Sequence, residues 1–176
     1  MQSHYLTNVG LCVLSCTLLA CLPTRARAES TGAASRLAAG ARHSVLLDAN
    51  GELRAWGDGR KGQLGHGRFA AVDRPVSVVG PKGEGRLTGV VAVSAGMYHT
   101  LAIREDGSAW AWGNNSFGQL GNGQLGLDAH QAVPVQVVGP HGQGHLKGVV
   151  AVSAGWDHSV ALLKDGTVWT WGSRCH

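Results

Sequence analysis

From residue 37 onward the apolar residues fall into short runs, each bounded by glycine, proline or a polar pair, and no stretch keeps a helical period. Three of these runs fold back on themselves. His43 to Asp48 leads to Asn50-Gly51 and returns as Glu52 to Trp56. His99 to Glu105 leads to Asp106-Gly107 and returns as Ser108 to Trp112, and His158 to Lys164 leads to Asp165-Gly166 and returns as Thr167 to Trp171. Asn-Gly and Asp-Gly between apolar runs predict β-hairpins, with two-residue type I′ turns in which both central residues take positive φ. Leu101 and Ile103 alternate with Ala102, and Trp110 and Trp112 with Ala109 and Ala111. Apolar residues on both faces predict a sheet covered on both sides.

Further strands follow from the same pattern. Val90 to Ala95 and Val149 to Ala154 share the sequence Val-Val-Ala-Val-Ser-Ala, ahead of the second and third hairpins. The corresponding stretch Ala34 to Ala39 is interrupted by Ser35 and Arg36, and marks the end of the array with an incomplete blade. Pro75 to Val79 and Pro134 to Val138 predict fourth strands that open on proline, a position that suits an edge.

The recurrence of these units is the dominant signal. Gly40, Gly96 and Gly155 align, and Trp56-Gly57, Trp112-Gly113 and Trp171-Gly172 each follow at the same distance. His43, His99 and His158 and the turn glycines Gly51, Gly107 and Gly166 keep the same phase. The repeat is 56 residues in one copy and 59 in the next, and the three extra residues lie between Gly121 and Pro134. The fold class that follows is all-β, a partial β-propeller of about two and a half antiparallel four-stranded blades over residues 37–176.

Composition changes this picture only at the N-terminus. Val9 to Leu22 is uncharged and mostly apolar, too short to span a bilayer comfortably, and is followed by Pro23 and Ala26-Arg27-Ala28. Residues 1–28 are therefore expected to be a signal peptide, which makes the protein exported: periplasmic, extracellular or lipid-anchored. Leu18-Leu19-Ala20-Cys21 also suits a lipoprotein signal with Cys21 as the anchored residue. A misassigned start codon, with a cytoplasmic protein, is the alternative. Residues 29–36 are a flexible lead-in. Loss of Arg25 and Arg27 leaves thirteen basic against eleven acidic residues, so +4 becomes +2, and no nucleic-acid partner is expected. Cys175 alone would remain, which excludes an internal disulfide, and no membrane span is expected in the mature form.

The chemistry-bearing residues argue against catalysis. The three histidines recur with the blade, so a hydrogen-bonding role within each blade outweighs a metal site. Trp56, Trp112 and Trp171 share one register and are expected to pack blade against blade, with Trp110 and Trp169 on the opposite side and one or both of them partly exposed. The carboxylates lie mostly at turns, no serine sits in a nucleophile elbow, and Gly62 to Gly65 lacks the Lys-Ser/Thr of a phosphate loop. Catalytic residues, cofactors and metals are all expected to be none. Arg54, Arg60, Lys61, Arg68 and Arg74 read as a solvated face. Partner contacts are expected where the repeat varies: Arg42, Met97, Tyr98, Trp156 and Asp157, with Phe69 and Asn114 to Phe117 as secondary candidates.

The recurring Gly-x-x-His-[Ser/Thr], the Asp-Gly turn, Trp-Gly and Gly-Gln-Leu-Gly (Gly62 to Gly65, Gly118 to Gly121) resemble the regulator of chromosome condensation repeat family, in particular its bacterial, alpha-tubulin-suppressor-like members. The resemblance covers about residues 36–172 and implies a seven-bladed propeller, often exported in bacteria. Two full repeats and part of a third fall short of a ring. A fragment of a longer propeller, a protomer completed by self-association through open blade edges, and a partner-dependent module are the alternatives, the first being favoured. The expected function is a non-catalytic protein-binding scaffold, its protein partner unknown. Guanine-nucleotide exchange on a small GTPase, or a secreted enzyme-inhibitor-like propeller, are alternatives implied by the resemblance alone.

Overall fold

A computed structural model describes residues 36–173. The expected signal peptide, Cys21, nearly all of the lead-in and Cys175 lie outside the described residues.

The described chain is three antiparallel sheets. The first contains β1 (Leu37–Ala39), β2 (His43–Leu47), β3 (Leu53–Gly57) and β4 (Val72–Ser77), paired in that order. The second repeats it as β5 (Val90–Ala95), β6 (His99–Arg104), β7 (Ala109–Gly113) and β8 (Gln131–Gln136). The third has β9 (Val149–Ala154), β10 (His158–Leu163) and β11 (Val168–Gly172). The polar first copy of the inner strand is shortened to three residues but still pairs, Leu37 with Leu46 and Ala39 with Ser44. The first blade thus has all four strands, against expectation. The sheet with three strands is the third.

The hairpins form where expected, by a different turn. Among the described non-glycine residues only Lys82 and His141 have positive φ, so Asn50, Asp106 and Asp165 do not. The N–H of Gly51 donates to the carbonyl of Asp48 at 3.2 Å, and the N–H of Asp48 donates to that of Glu52 at 2.9 Å. This is a three-residue loop: a tight turn followed by one left-handed glycine, Gly51 at φ 75°. Gly107 and Gly166 repeat it. The aspartates brace it, since Asp106 Oδ1 accepts from both the N–H (3.0 Å) and the hydroxyl (2.6 Å) of Ser108, and Asp165 does the same for Thr167. Those bonds hold both carboxyls below the usual carboxylate range.

The fourth strands begin three residues earlier than expected. Pro75 and Pro134 therefore stand inside β4 and β8 rather than at their starts. Both strands are outermost in their sheets, and the β3–β4 and β7–β8 ladders shift register, which accommodates a residue without an N–H.

Two apolar cores lie between the sheets, one at each junction. Val45, Leu47, Leu53 and Ala55 of the first sheet meet Val93, Ala102, Trp110 and Trp112 of the second. Leu101, Ile103, Ala109 and Ala111 of the second meet Ala161, Val152 and Trp171 of the third. Side chains two apart on a strand share a face, so Trp110 and Trp112 enter the same core, which corrects the expected opposite placement of Trp110; of Trp110 and Trp169 only the latter is in the open, at 36% against 9%.

Candidate partner-binding face

The positions of the binding loops are set by a hydrogen-bonded unit that recurs at each junction between blades. Gly62 to Gly65 forms a turn in which Leu64 is fully buried and the Gln63 carbonyl points at the next blade. That carbonyl accepts from the Thr100 hydroxyl at 2.9 Å and from Trp112 Nε1 at 3.0 Å. His43 Nε2 stands 2.9 Å from the same hydroxyl. A hydroxyl has one proton, and Thr100 gives it to Gln63, so His43 must donate through Nε2–H. The second junction copies this with Gln119, Ser159, Trp171 and His99, at 2.8 Å, 2.9 Å and 3.0 Å.

His43 and His99 therefore bridge neighbouring blades, which corrects the expected bonding within each blade. Nδ1 of His43 and of His99 is buried without a partner, so a second ring proton would be unsatisfied there. Burial accordingly pushes both imidazoles down to about 4, with the Asp58 charge opposing at His43 and the neighbouring histidines reinforcing at His99. Among the described residues no three His, Cys, Asp or Glu side chains stand close enough to hold a metal ion.

Above this unit the loops joining each inner strand to the next line up at one end of the sheets. The N–H of Ala41 donates to the Gly96 carbonyl, and that of Met97 to the Gly155 carbonyl, each at 3.3 Å. The second variable residue of each loop is held as well. The carbonyls of Arg42, Tyr98 and Asp157 accept from the N–H groups of Asp58, Asn114 and Ser173, each at 2.8 Å. Backbone positions are thus set on both sides while the side chains stay free to differ.

The five expected contact residues fall on this one end, with unequal exposure. Trp156 is 70% exposed and Arg42 is exposed, whereas Met97 and Tyr98 are half-buried. Asp157 is also half-buried, and its Oδ1 accepts from Gln119 Nε2 at 3.3 Å, which ties it to the framework. Sequence reasoning missed two residues here. Arg60 makes a two-pronged pair with Asp58, Nε to Oδ1 at 2.9 Å and Nη2 to Oδ2 at 3.1 Å. The Arg60 bonds hold the Asp58 carboxyl below the usual carboxylate range, and the Arg42 charge adds to the effect. Tyr98 lies within electrostatic reach of Arg60. The end of the molecule therefore offers an aromatic residue at one blade and an Arg-Asp-Arg set at another.

Of the secondary candidates, Phe69 and Phe117 are exposed, at 56% and 53%. Asn114 and Asn115 are buried and occupied: Asn114 Oδ1 accepts from Ser116, and Asn115 bonds to Asn122, Gln124 and Leu120. They shape the longer loop that carries the three extra residues.

Comparison with known proteins agrees with this architecture. The family model described as Regulator of chromosome condensation (RCC1) repeat matches residues 50–103 and 106–162, and a second model of that description matches 35–63 and 90–119. The ultraviolet-B receptor UVR8 of Arabidopsis thaliana is 36% identical over 149 residues, covering 83% of this chain and 31% of that protein. The protein RCC2 homolog of Xenopus laevis is 37% identical over 132 residues, 75% of this chain and 24% of the relative. Among solved structures, human WBSCR16 superimposes with a TM-score of 0.66 at 26% identity, covering 78% of this chain and 32% of that one. Prp20p of Saccharomyces cerevisiae, a protein described for its binding to Gsp1p and histones, gives 0.63 at 28% identity, with 77% and 30% covered. This chain spans about a third or less of the length of these relatives. With the repeat matched along most of its sequence and its blades superimposing on solved propellers, the chain belongs to the Regulator of chromosome condensation (RCC1) repeat family.

Proposed function

We propose that this protein is a non-catalytic protein-binding scaffold whose partner docks on the loops at 40–42, 96–98 and 155–157. The observation that carries the reading is Trp156, 70% exposed on a loop whose backbone is held by its neighbours. A large aromatic side chain on a preorganised backbone costs little entropy to bind and supplies much of the contact energy at interfaces. Tyr98 and the Asp58–Arg60 pair supply further polar groups at the same end of the sheets. The binding of Prp20p to Gsp1p and histones supports a protein partner as the class of ligand.

An exported location belongs to the same proposal, supported by the apolar run Val9 to Leu22 and by Ala26-Arg27-Ala28. Mass spectrometry of the protein from its own host tests it, with Glu29 expected as the first residue.

The docking face is tested with a partner captured on the wild-type chain, identified and prepared pure. Its affinity for the Tyr98→Ala/Trp156→Ala variant should fall by at least tenfold, about 1.4 kcal/mol. Equal affinity for both forms rejects the face.

A further inference from the structure

At the junction of the first and second blades, two basic side chains meet that the repeat does not require. Lys61 stands just before the Gly62 to Gly65 turn, and His130 just before β8. In the other copy these places are held by Phe117 and Ala71, so neither residue belongs to the recurring hydrogen-bonded unit. Lys61 Nζ nevertheless stands 3.3 Å from His130 Nε2. The backbone beneath them is fixed. The N–H of Lys61 donates to Gln63 Oε1 at 2.9 Å, and Gly62 packs so closely that a Cβ there would stand 2.5 Å from the Gln131 carbonyl oxygen.

The protons on this pair follow from its surroundings. The N–H of Asn115 donates to His130 Nδ1 at 3.1 Å, so Nδ1 offers a lone pair. Asn115 is itself buried and held, its side chain bonded to Asn122, Gln124 and Leu120. Burial and the Lys61 charge push the imidazole below its ordinary range, against the Asp128 charge, so at neutral pH the ring carries one proton, on Nε2. Nε2–H and the Lys61 ammonium are then both donors, and neither accepts from the other. Two donors side by side, one of them charged, are complementary to a single anionic acceptor. Lys61, Arg60 and Arg42 face Asp58 and Asp128, a surplus of one positive charge. That balance suits a singly charged carboxylate better than a doubly charged phosphate.

We propose that Lys61 and His130 form a carboxylate site, which takes an Asp or Glu side chain of the protein partner on Nζ and Nε2–H together. The site adjoins the docking loops, since Arg60, next to Lys61, lies within electrostatic reach of Tyr98. Only the source of the carboxylate rests on the partner-binding reading.

Nuclear magnetic resonance of the nitrogen-labelled full chain tests the site with acetate, at neutral pH and an ionic strength held constant with chloride. His130 should show a protonated Nε2 and an unprotonated Nδ1, and acetate should shift its ring nitrogens to saturation where chloride does not. Lys61→Met should weaken acetate binding by about tenfold or more, with the amide spectrum elsewhere unchanged. The same variant should lose about tenfold in affinity for the purified partner. Four results would each overturn the proposal: a proton on Nδ1, equal responses to acetate and chloride, acetate binding only after Asp128→Asn, or full partner affinity in Lys61→Met. The third would mean that the chain's own Asp128 occupies the two donors. The Tyr98→Ala/Trp156→Ala comparison is separate from the acetate titration, so failure of the docking face and failure of the carboxylate site are told apart.

Discussion

The indole of Trp112 lies directly over the α-carbon of Gly65, so that a Cβ on Gly65 would stand 2.8 Å from Nε1 and 2.9 Å from Cδ1. Gly121 and Trp171 repeat the contact at the next junction. Gly65 also has φ 64°, so two separate costs meet there. Gly65→Ala should destabilise the protein by about 2–3 kcal/mol, combining left-handed strain with overpacking. Gly67 has φ 83° and no neighbour within 4 Å of such a Cβ. Gly67→Ala should therefore lose only about 1 kcal/mol. Urea unfolding of the pair separates contact from conformation.

Thr100 serves two partners at once, accepting from His43 and donating to the Gln63 carbonyl. Thr100→Val keeps the shape and leaves the buried His43 N–H without an acceptor, at a loss of about 1–3 kcal/mol. Thr100→Ser should stay near wild type, because the third blade uses serine in this place. Equal losses in the two variants would mean that the methyl group, not the hydroxyl, matters at this junction.

Acid should destabilise the blades through the same histidines. His43 and His99 are held at about 4, against about 6.5 for a histidine in the unfolded chain. Between those values the unfolded state binds more protons than the folded one, so stability falls as pH drops from 6.5 toward 4. Above pH 7 the contribution is complete; below 4 it is fully lost. The loss is on the order of 3 kcal/mol per histidine. In a series of unfolding curves, His99→Gln should show a shallower pH dependence than wild type across this window.

Two tryptophans one blade apart should behave oppositely. Trp112 is fully buried and its N–H is bonded, so Trp112→Ala should cost about 3–5 kcal/mol. Trp156 is mostly in solvent, and Trp156→Ala should change stability by less than about 0.5 kcal/mol. Thermal melts of both variants show which aromatic residue belongs to the framework and which is free for a partner.

The hairpins and inner strands were legible because a Gly-punctuated run of apolar residues encodes them locally. The turn type was not, because Asp-Gly suits both a two-residue loop and a longer one ending in a left-handed glycine; the bonds that Ser108 donates to Asp106 brace the latter. The start of β4 was misplaced because Asp73 and Arg74 look like loop residues, whereas an edge strand tolerates them in the open. The inter-blade histidine bond joins residues 57 apart, which no local pattern shows. A signal was present nonetheless: His43, His99 and His158 are each followed by Ser or Thr, and that hydroxyl is the acceptor at both junctions. The variable dipeptides were readable as one set, while the inward turn of Asn114 and Asn115 depends on the long loop closing over them.

The docking face is tested most directly by a photo-cross-linking amino acid placed at Trp156 or at Ala49, both exposed and at opposite ends of the strands. Irradiation in the native host should give a discrete cross-linked partner from position 156 and none from position 49. Cross-linking from position 49 alone, or the same partner from both, would contradict a binding face built on the loops that carry Tyr98 and Trp156.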